Sequence, residues 1–203
     1  MKPNKKDEAI EEQYPSMQKP AASNLPHTFC VAILKNGNTV KIEGQVKEFL
    51  ETISEADFSW INVQVEDMGQ EATKIASLLG FNPSIINDLV SQRFSGYEDY
   101  ETELGLVLPA VRVKELDVEI NKLIILMKSN LIVTIHGEHV TRLVKFARYA
   151  VTFFKKVPKN LEDVDKITLV LVRILDENNE KNFDGIRVIQ EESDEISKYL
   201  KEL

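Results

Sequence analysis

Three apolar runs limit most sharply what this chain can fold into: ELGLVLPAVRV (103–113), VEINKLIILM (118–127) and NLIVTIHG (130–137). Each is rich in Val, Ile and Leu, residues that suit a pleated, half-buried surface. A short polar break joins the last two, which predicts an antiparallel meander. A second β unit precedes them. TFCVAILKNGNTVKIE (28–43) places two β-prone runs around Asn36-Gly37, the strongest short hairpin signal, and FSWINVQV (58–65) reads as a strand with Trp60 as a core anchor.

Helical periodicity fills the intervals. QVKEFLETI (45–53) predicts a short helix, and residues 70–79 a second, with Ala72, Ile75, Ala76 and Leu79 on one side. GFNPSIINDLV (80–90) predicts a third, opened by Asn82-Pro83 and apolar at Ile85, Ile86 and Leu89. After His136 the chain turns helical again. HVTRLVKFARYAVTFFKKV (139–157) puts Leu143, Ala147, Ala150, Val151 and Phe154 on one face and Arg142, Lys145, Arg148 and Lys155 on a solvated basic face. Residues 161–178 form another helix, with Ile167, Val170, Leu171, Ile174 and Leu175 turned to a core. Near the C-terminus, Ile186, Ile189, Ser193, Ile196, Leu200 and Leu203 repeat at 3, 4, 3, 4, 3, a coiled-coil-like seam with no Gly or Pro stop after it. The expectation is a helix that continues beyond Leu203.

The fold class expected is mixed α/β: a mixed, partly antiparallel sheet layered between helices, followed by a long C-terminal stalk-like helix. Residues 1–26, polar and holding four prolines, read as a mobile tail; 27–160 as the α/β/α domain; 161–203 as a helical segment and the start of the stalk.

Composition narrows function. A net charge of −8 opposes nucleic-acid binding, which depends on cationic contacts with phosphates. Cys30 is the one cysteine, so no internal disulfide forms. No window reaches the roughly 18 apolar residues of a membrane span; LIILMKSNLIVTIH is cut by Lys128, Ser129 and Asn130. No glycine-rich phosphate loop and no G-x-S-x-G elbow is present, so the motifs do not point to an enzyme.

One motif holds candidate metal chemistry on its own residues. IHGEH offers His136, Glu138 and His139, imidazole and carboxylate ligands suited to a transition metal, although the same residues serve as ordinary groups at a helix start. Asp88 stands near the C-terminal end of its helix, where the dipole disfavours a negative charge by about 0.3–1 kcal/mol. Taken by itself it reads as a solvated surface carboxylate. The acidic stretches YEDYETE, DENNE and EESDE read as solvated faces that attract divalent cations weakly.

The order WINVQV, LLGFNPSIINDLV, QRFSGYEDY, LGLVLP and NLIVTIHGE resembles the cytoplasmic domain of CorA-type magnesium transporters, over roughly residues 58–140. The resemblance implies homopentamers whose stalk helices lead to two membrane spans with a Gly-Met-Asn motif. It implies a parent that moves magnesium, and also cobalt or nickel, at the cell membrane, with this part on the cytoplasmic face. It further implies regulatory Mg2+ or Co2+ bound between neighbouring cytoplasmic domains, with Asp88 and the adjacent Asn87 at that inter-subunit site. Asn87 stands where the family often has an acid, the loop histidine is missing, and Arg173 replaces a frequent aspartate, so a second metal site looks impaired. Two other readings stand beside this one: a free-standing soluble interaction or sensor module docking through the C-terminal seam, and a metal-dependent enzyme using His136, Glu138 and His139.

Overall fold

The computed structural model describes residues 28–114 and 117–201. The tail at 1–26 and the last seam position, Leu203, lie outside the described residues. Seven strands form one sheet: β1 (Phe29–Leu34), β2 (Thr39–Glu43), β3 (Ala56–Val65), β4 (Gly96–Tyr100), β5 (Glu103–Lys114), β6 (Asp117–Lys128) and β7 (Leu131–Gly137). Their order is β2-β1-β3-β7-β6-β5-β4. The β1–β2 hairpin turns at Gly37, whose φ of 83° favours glycine. The expected meander is present: β5 pairs β6 in register from Glu103↔Lys128 to Lys114↔Asp117, and β6 pairs β7 from Leu123↔His136 to Lys128↔Leu131. Only β3 and β7, at the centre, run parallel, with Ser59 opposite Leu131. Everything from α2 to β6 lies on the connection between them.

A 3-10 turn (Val46–Phe49) and α1 (Leu50–Glu55), α2 (Met68–Leu78) and α3 (Pro83–Ser91) cover one face of the sheet. The other face carries α4 (Val144–Phe154) and α5 (Asp163–Lys201). The alternation of the strands divides the core accordingly. Ile61, Val63, Val133 and Ile135 face α2 and α3, whereas Phe58, Trp60, Leu123 and Ile125 face α4 and α5. Trp60 anchors the second layer, fully buried, edge-on to Phe29 at 5.0 Å and stacked on Phe146 at 4.5 Å. Its indole N–H donates to Thr134 Oγ1 at 3.1 Å, as a buried indole requires.

Local chemistry fixes the helices before Asp88. Asp67 caps α2, accepting from the backbone N–H of Gly69 (2.9 Å) and Gln70 (3.1 Å). Gly80, at φ 74°, ends that turn, and Lys128 Nζ donates to the carbonyls of Leu79 and Gly80 at 2.7 and 2.8 Å. Asn82 caps α3 through Ser84 N–H at 2.9 Å, and Glu103 Oε2 accepts from Asn82 N–H at 2.8 Å. α3 lies directly on β5: a Cβ at Gly105 would fall 2.4 Å from Leu89 Cδ1.

The structure departs from the sequence reading in three places. The two helices expected over 161–178 and from 186 are one 39-residue helix, α5. DENNE lies inside it, and its polar residues do not break it, because Glu177 and Asn178 are buried against the domain. YEDYETE is not merely a solvated face, since residues 97–100 complete β4, with Tyr97↔Leu106 and Tyr100↔Glu103. Arg142 is not on the solvated basic face. It precedes α4, is 7% exposed, and lies under α5.

Arg142 has a definable task there. β4 covers the outer edge of β5 only as far as Val107. Beyond that point side chains replace a strand. Arg142 Nη2 donates to the Val111 carbonyl at 2.6 Å, Asn182 Oδ1 accepts from Val111 N–H at 3.0 Å, and Asn178 and Asn182 donate to the Pro109 carbonyl at 3.2 and 3.1 Å. Arg142 Nη1 joins the two asparagines, at 2.9 Å to Asn178 Oδ1 and 2.5 Å to Asn182 Oδ1. The open strand edge is thereby satisfied at Pro109 and Val111 without a strand.

Candidate functional site

Asp88 is exposed on α3, beside β4. Its Oδ2 accepts from the Tyr100 hydroxyl at 2.6 Å. That bond, with smaller contributions from burial and from the charges of Asp88 and Glu98, pushes the Tyr100 phenol above its usual pKa. Asp88 Oδ1 has no hydrogen bond among the described residues, so one carboxylate oxygen stays open to a further ligand. Asn87 points elsewhere: its Oδ1 accepts from Thr73 Oγ1 at 3.1 Å, tying α3 to α2. The pair Asn87–Asp88 is adjacent in sequence but divided in space, one side chain turned to α2 and the other to β4.

Of the β4 carboxylates, Glu98 shares the Tyr100 side of the strand, its Oε1 3.5 Å from Gln92 Nε2, whereas Asp99 alternates to the opposite side, where its Oδ2 accepts from the Tyr97 hydroxyl at 3.2 Å. Phe94 and Tyr97 stand exposed on the same stretch. Tyr100 is the partner that sequence reasoning missed. The β-prone tyrosines at 97 and 100 were the one available hint of a strand, and only its register brings Tyr100 to α3.

The residues of IHGEH part company. His136 is 3% exposed inside the sheet layer, with Nε2 at 3.2 Å from Asn62 Oδ1 and Nδ1 at 2.8 Å from the Gly137 carbonyl. Thr134 Oγ1 donates to the same Asn62 oxygen at 2.8 Å. Glu138 and His139 are exposed beyond the strand and pair with each other at 3.6 Å. Among the described residues, no group of three or more His, Cys, Asp or Glu is arranged to hold a metal ion.

Arg173 belongs to a different network. Its Nε donates to the Tyr149 hydroxyl at 2.5 Å, and its guanidinium pairs with Asp176 at 2.6 Å and with the buried Glu177. Tyr149 also donates to Glu177 Oε1 at 2.8 Å. This cluster joins α4 to α5.

Fold and site together define a class: a layered α/β/α domain with an exposed acidic helix–strand surface, continuing into one long helix. A sequence model of the family described as CorA-like Mg2+ transporter protein matches residues 55–202, and the chain belongs to that family. Among solved structures, the complete CorA magnesium transporter from Methanocaldococcus jannaschii superposes with a TM-score of 0.62 at 16% identity, over 88% of this chain and 52% of that one. The soluble domain of CorA from the same organism gives a TM-score of 0.57 at 18% identity, over 85% of this chain and 63% of that one. The chain thus spans between half and two thirds of the length of these relatives. A comparison with curated proteins returns no match. Among the described residues, no helix is long and apolar enough to cross a membrane.

Proposed function

We propose that this chain is the cytosolic metal-sensing and gating part of a CorA-like transporter for divalent cations: Mg2+, with Co2+ and Ni2+ as further ions. Family membership supports the transporter class. The observation that carries the sensing role is the Asp88 carboxylate, exposed, held by Tyr100 through one oxygen and open at the other. Magnesium keeps several waters and takes one or two carboxylates, so one Asp from one protomer is half a site. A second carboxylate from a neighbouring copy completes it. Occupancy then favours one arrangement of the ring of copies, and ion loss releases it, by the differential affinity of the ion for the two arrangements.

In this reading the copies form a homopentamer, the domain lies on the cytoplasmic face of the membrane, and α5 is the stalk. Titration calorimetry of the chain with Co2+, for wild type and Asp88→Ala, tests it. The expected outcome is a loss of affinity of about tenfold or more, the scale of one charged ligand. Equal affinity in the two proteins would sink the role given to Asp88.

A further inference from the structure

At the N-terminal end of α5, far from Asp88 in the chain, the β1–β2 turn faces the α4–α5 connection across a cleft of about 310 Å³. Ile33, Phe154, Val157 and Pro158 give it apolar lining. Four lysines surround that lining, Lys35, Lys155, Lys159 and Lys166, against one lining carboxylate, Asp57. In a chain of net charge −8 this is a local reversal of sign.

Only one of the four lysines is matched by carboxylates. Lys166, nearly buried, pairs with Asp57 at 2.8 Å and Asp163 at 3.3 Å. Lys35 donates to the Ser54 carbonyl at 3.0 Å, outside the cleft lining, so its ammonium is turned away from the cleft. Lys155 and Lys159 have no ion pair among the described residues. Lys159 reaches across to the hairpin turn, where a Cβ on Gly37 would lie 2.7 Å from its Nζ. Its ammonium is therefore over the cleft rather than directed away from it. Lys155 and Lys159 thus bring two cations without carboxylates to a concave, partly apolar space.

We propose that this cleft binds a small phosphate-bearing anion of the di- or triphosphate type. Lysine ammonium groups act as compact point charges toward phosphate oxygens. The volume lies at the small end of ligand pockets, which span roughly 300–1,000 Å³. The apolar lining can take a planar ring, so a nucleotide and a free polyphosphate share the required chemistry and differ in what they gain from it. Neither Asp88 nor the transporter reading enters the argument.

Calorimetry of the 203-residue chain with ATP and with tripolyphosphate, both metal-free in EDTA at low salt, tests the proposal. Wild type is compared with Lys155→Ala/Lys159→Ala, Lys155→Arg/Lys159→Arg and Asp88→Ala, each first shown folded by circular dichroism. Saturable binding is expected, weakened about tenfold or more by the alanine pair, retained by the arginine pair and unchanged in Asp88→Ala. ATP binding more tightly than tripolyphosphate assigns the cleft to a nucleotide; equal affinity assigns it to free polyphosphate. No saturable binding of either, or binding indifferent to the alanine pair, overturns the proposal.

Discussion

Gly105 shows how closely single residues are set in this domain. It lies in β5 under Leu89 and Ile85 of α3, and even one methyl group there would fall 2.4 Å from Leu89 Cδ1. Gly105→Ala is expected to destabilise the chain by about 1–3 kcal/mol, the usual cost of overpacking. Urea unfolding reads this as a lowered midpoint, and an unchanged midpoint would mean that α3 can shift. Cys30 makes a second case. Burial pushes its thiol from 9.0 up to about 12. The unfolded thiol therefore ionises first, and the folded state holds the extra proton between about pH 9 and 12. Its contribution is complete below pH 9 and is lost as pH rises through that window, at up to about 1.4 kcal/mol per pH unit. The difference in stability between wild type and Cys30→Ala should shrink or change sign above pH 9. In native protein at pH 8, Cys30 should react with a thiol reagent only after denaturant is added.

Among the elements, α5 has two halves with different support. Its first half packs on the sheet through Val170 and Ile174 and is fastened to β5 through Asn178 and Asn182. Gly185 is the last close approach, where a Cβ would sit 3.1 Å from Val113 Cγ2. Beyond it, Ile186, Ile189, Ile196 and Leu200 are exposed. Hydrogen exchange should accordingly show strong protection up to Gly185 and rapid exchange in the last two turns. Asn182→Ala removes the acceptor of Val111 N–H and one of the acceptors of Arg142 Nη1, at an expected cost of about 1–3 kcal/mol. Protection in the first half should fall with it. The hairpin, the meander and the apolar face of α3 were legible in the sequence because each obeys one period. Arg142 was not, since its basic character suggested solvent while its partners, the Val111 carbonyl and two asparagines, lie 31 to 40 residues away. The unity of α5 was hidden for a related reason. DENNE reads as a solvated face at the end of the expected 161–178 helix until the partners of Glu177 and Asn178, the Tyr149 hydroxyl and the Pro109 carbonyl, are known.

For the molecule as a whole, the exposed seam of α5 is the surface most suited to copies of the same chain. Its apolar spacing matches helix-to-helix packing, and its surroundings are polar. Ile186→Asp/Ile189→Asp should leave the thermal midpoint of the monomer within about 1 °C, because these side chains touch little of their own domain. The same pair should abolish any self-association seen by sedimentation velocity. Association untouched by the substitutions would move the interface elsewhere, with the Phe94 and Tyr97 surface next in line. Asp88 itself was singled out from sequence, but its partner Tyr100 needed the register of β4, which the density of charge in that stretch concealed.

The anchoring of α5 has a mechanical consequence. The polar clasp on β5 and the close approach at Gly185 fix a fulcrum, and the sixteen residues from there to Lys201 extend as a helical arm of about 24 Å. A tilt of about 5° at the fulcrum carries the tip through about 2 Å, by the same helical rise. Displacements too small to disturb the packing of the sheet are thereby magnified into movements as large as a side-chain contact, and the gain is set by where Asn182 and Gly185 happen to fall along the rod.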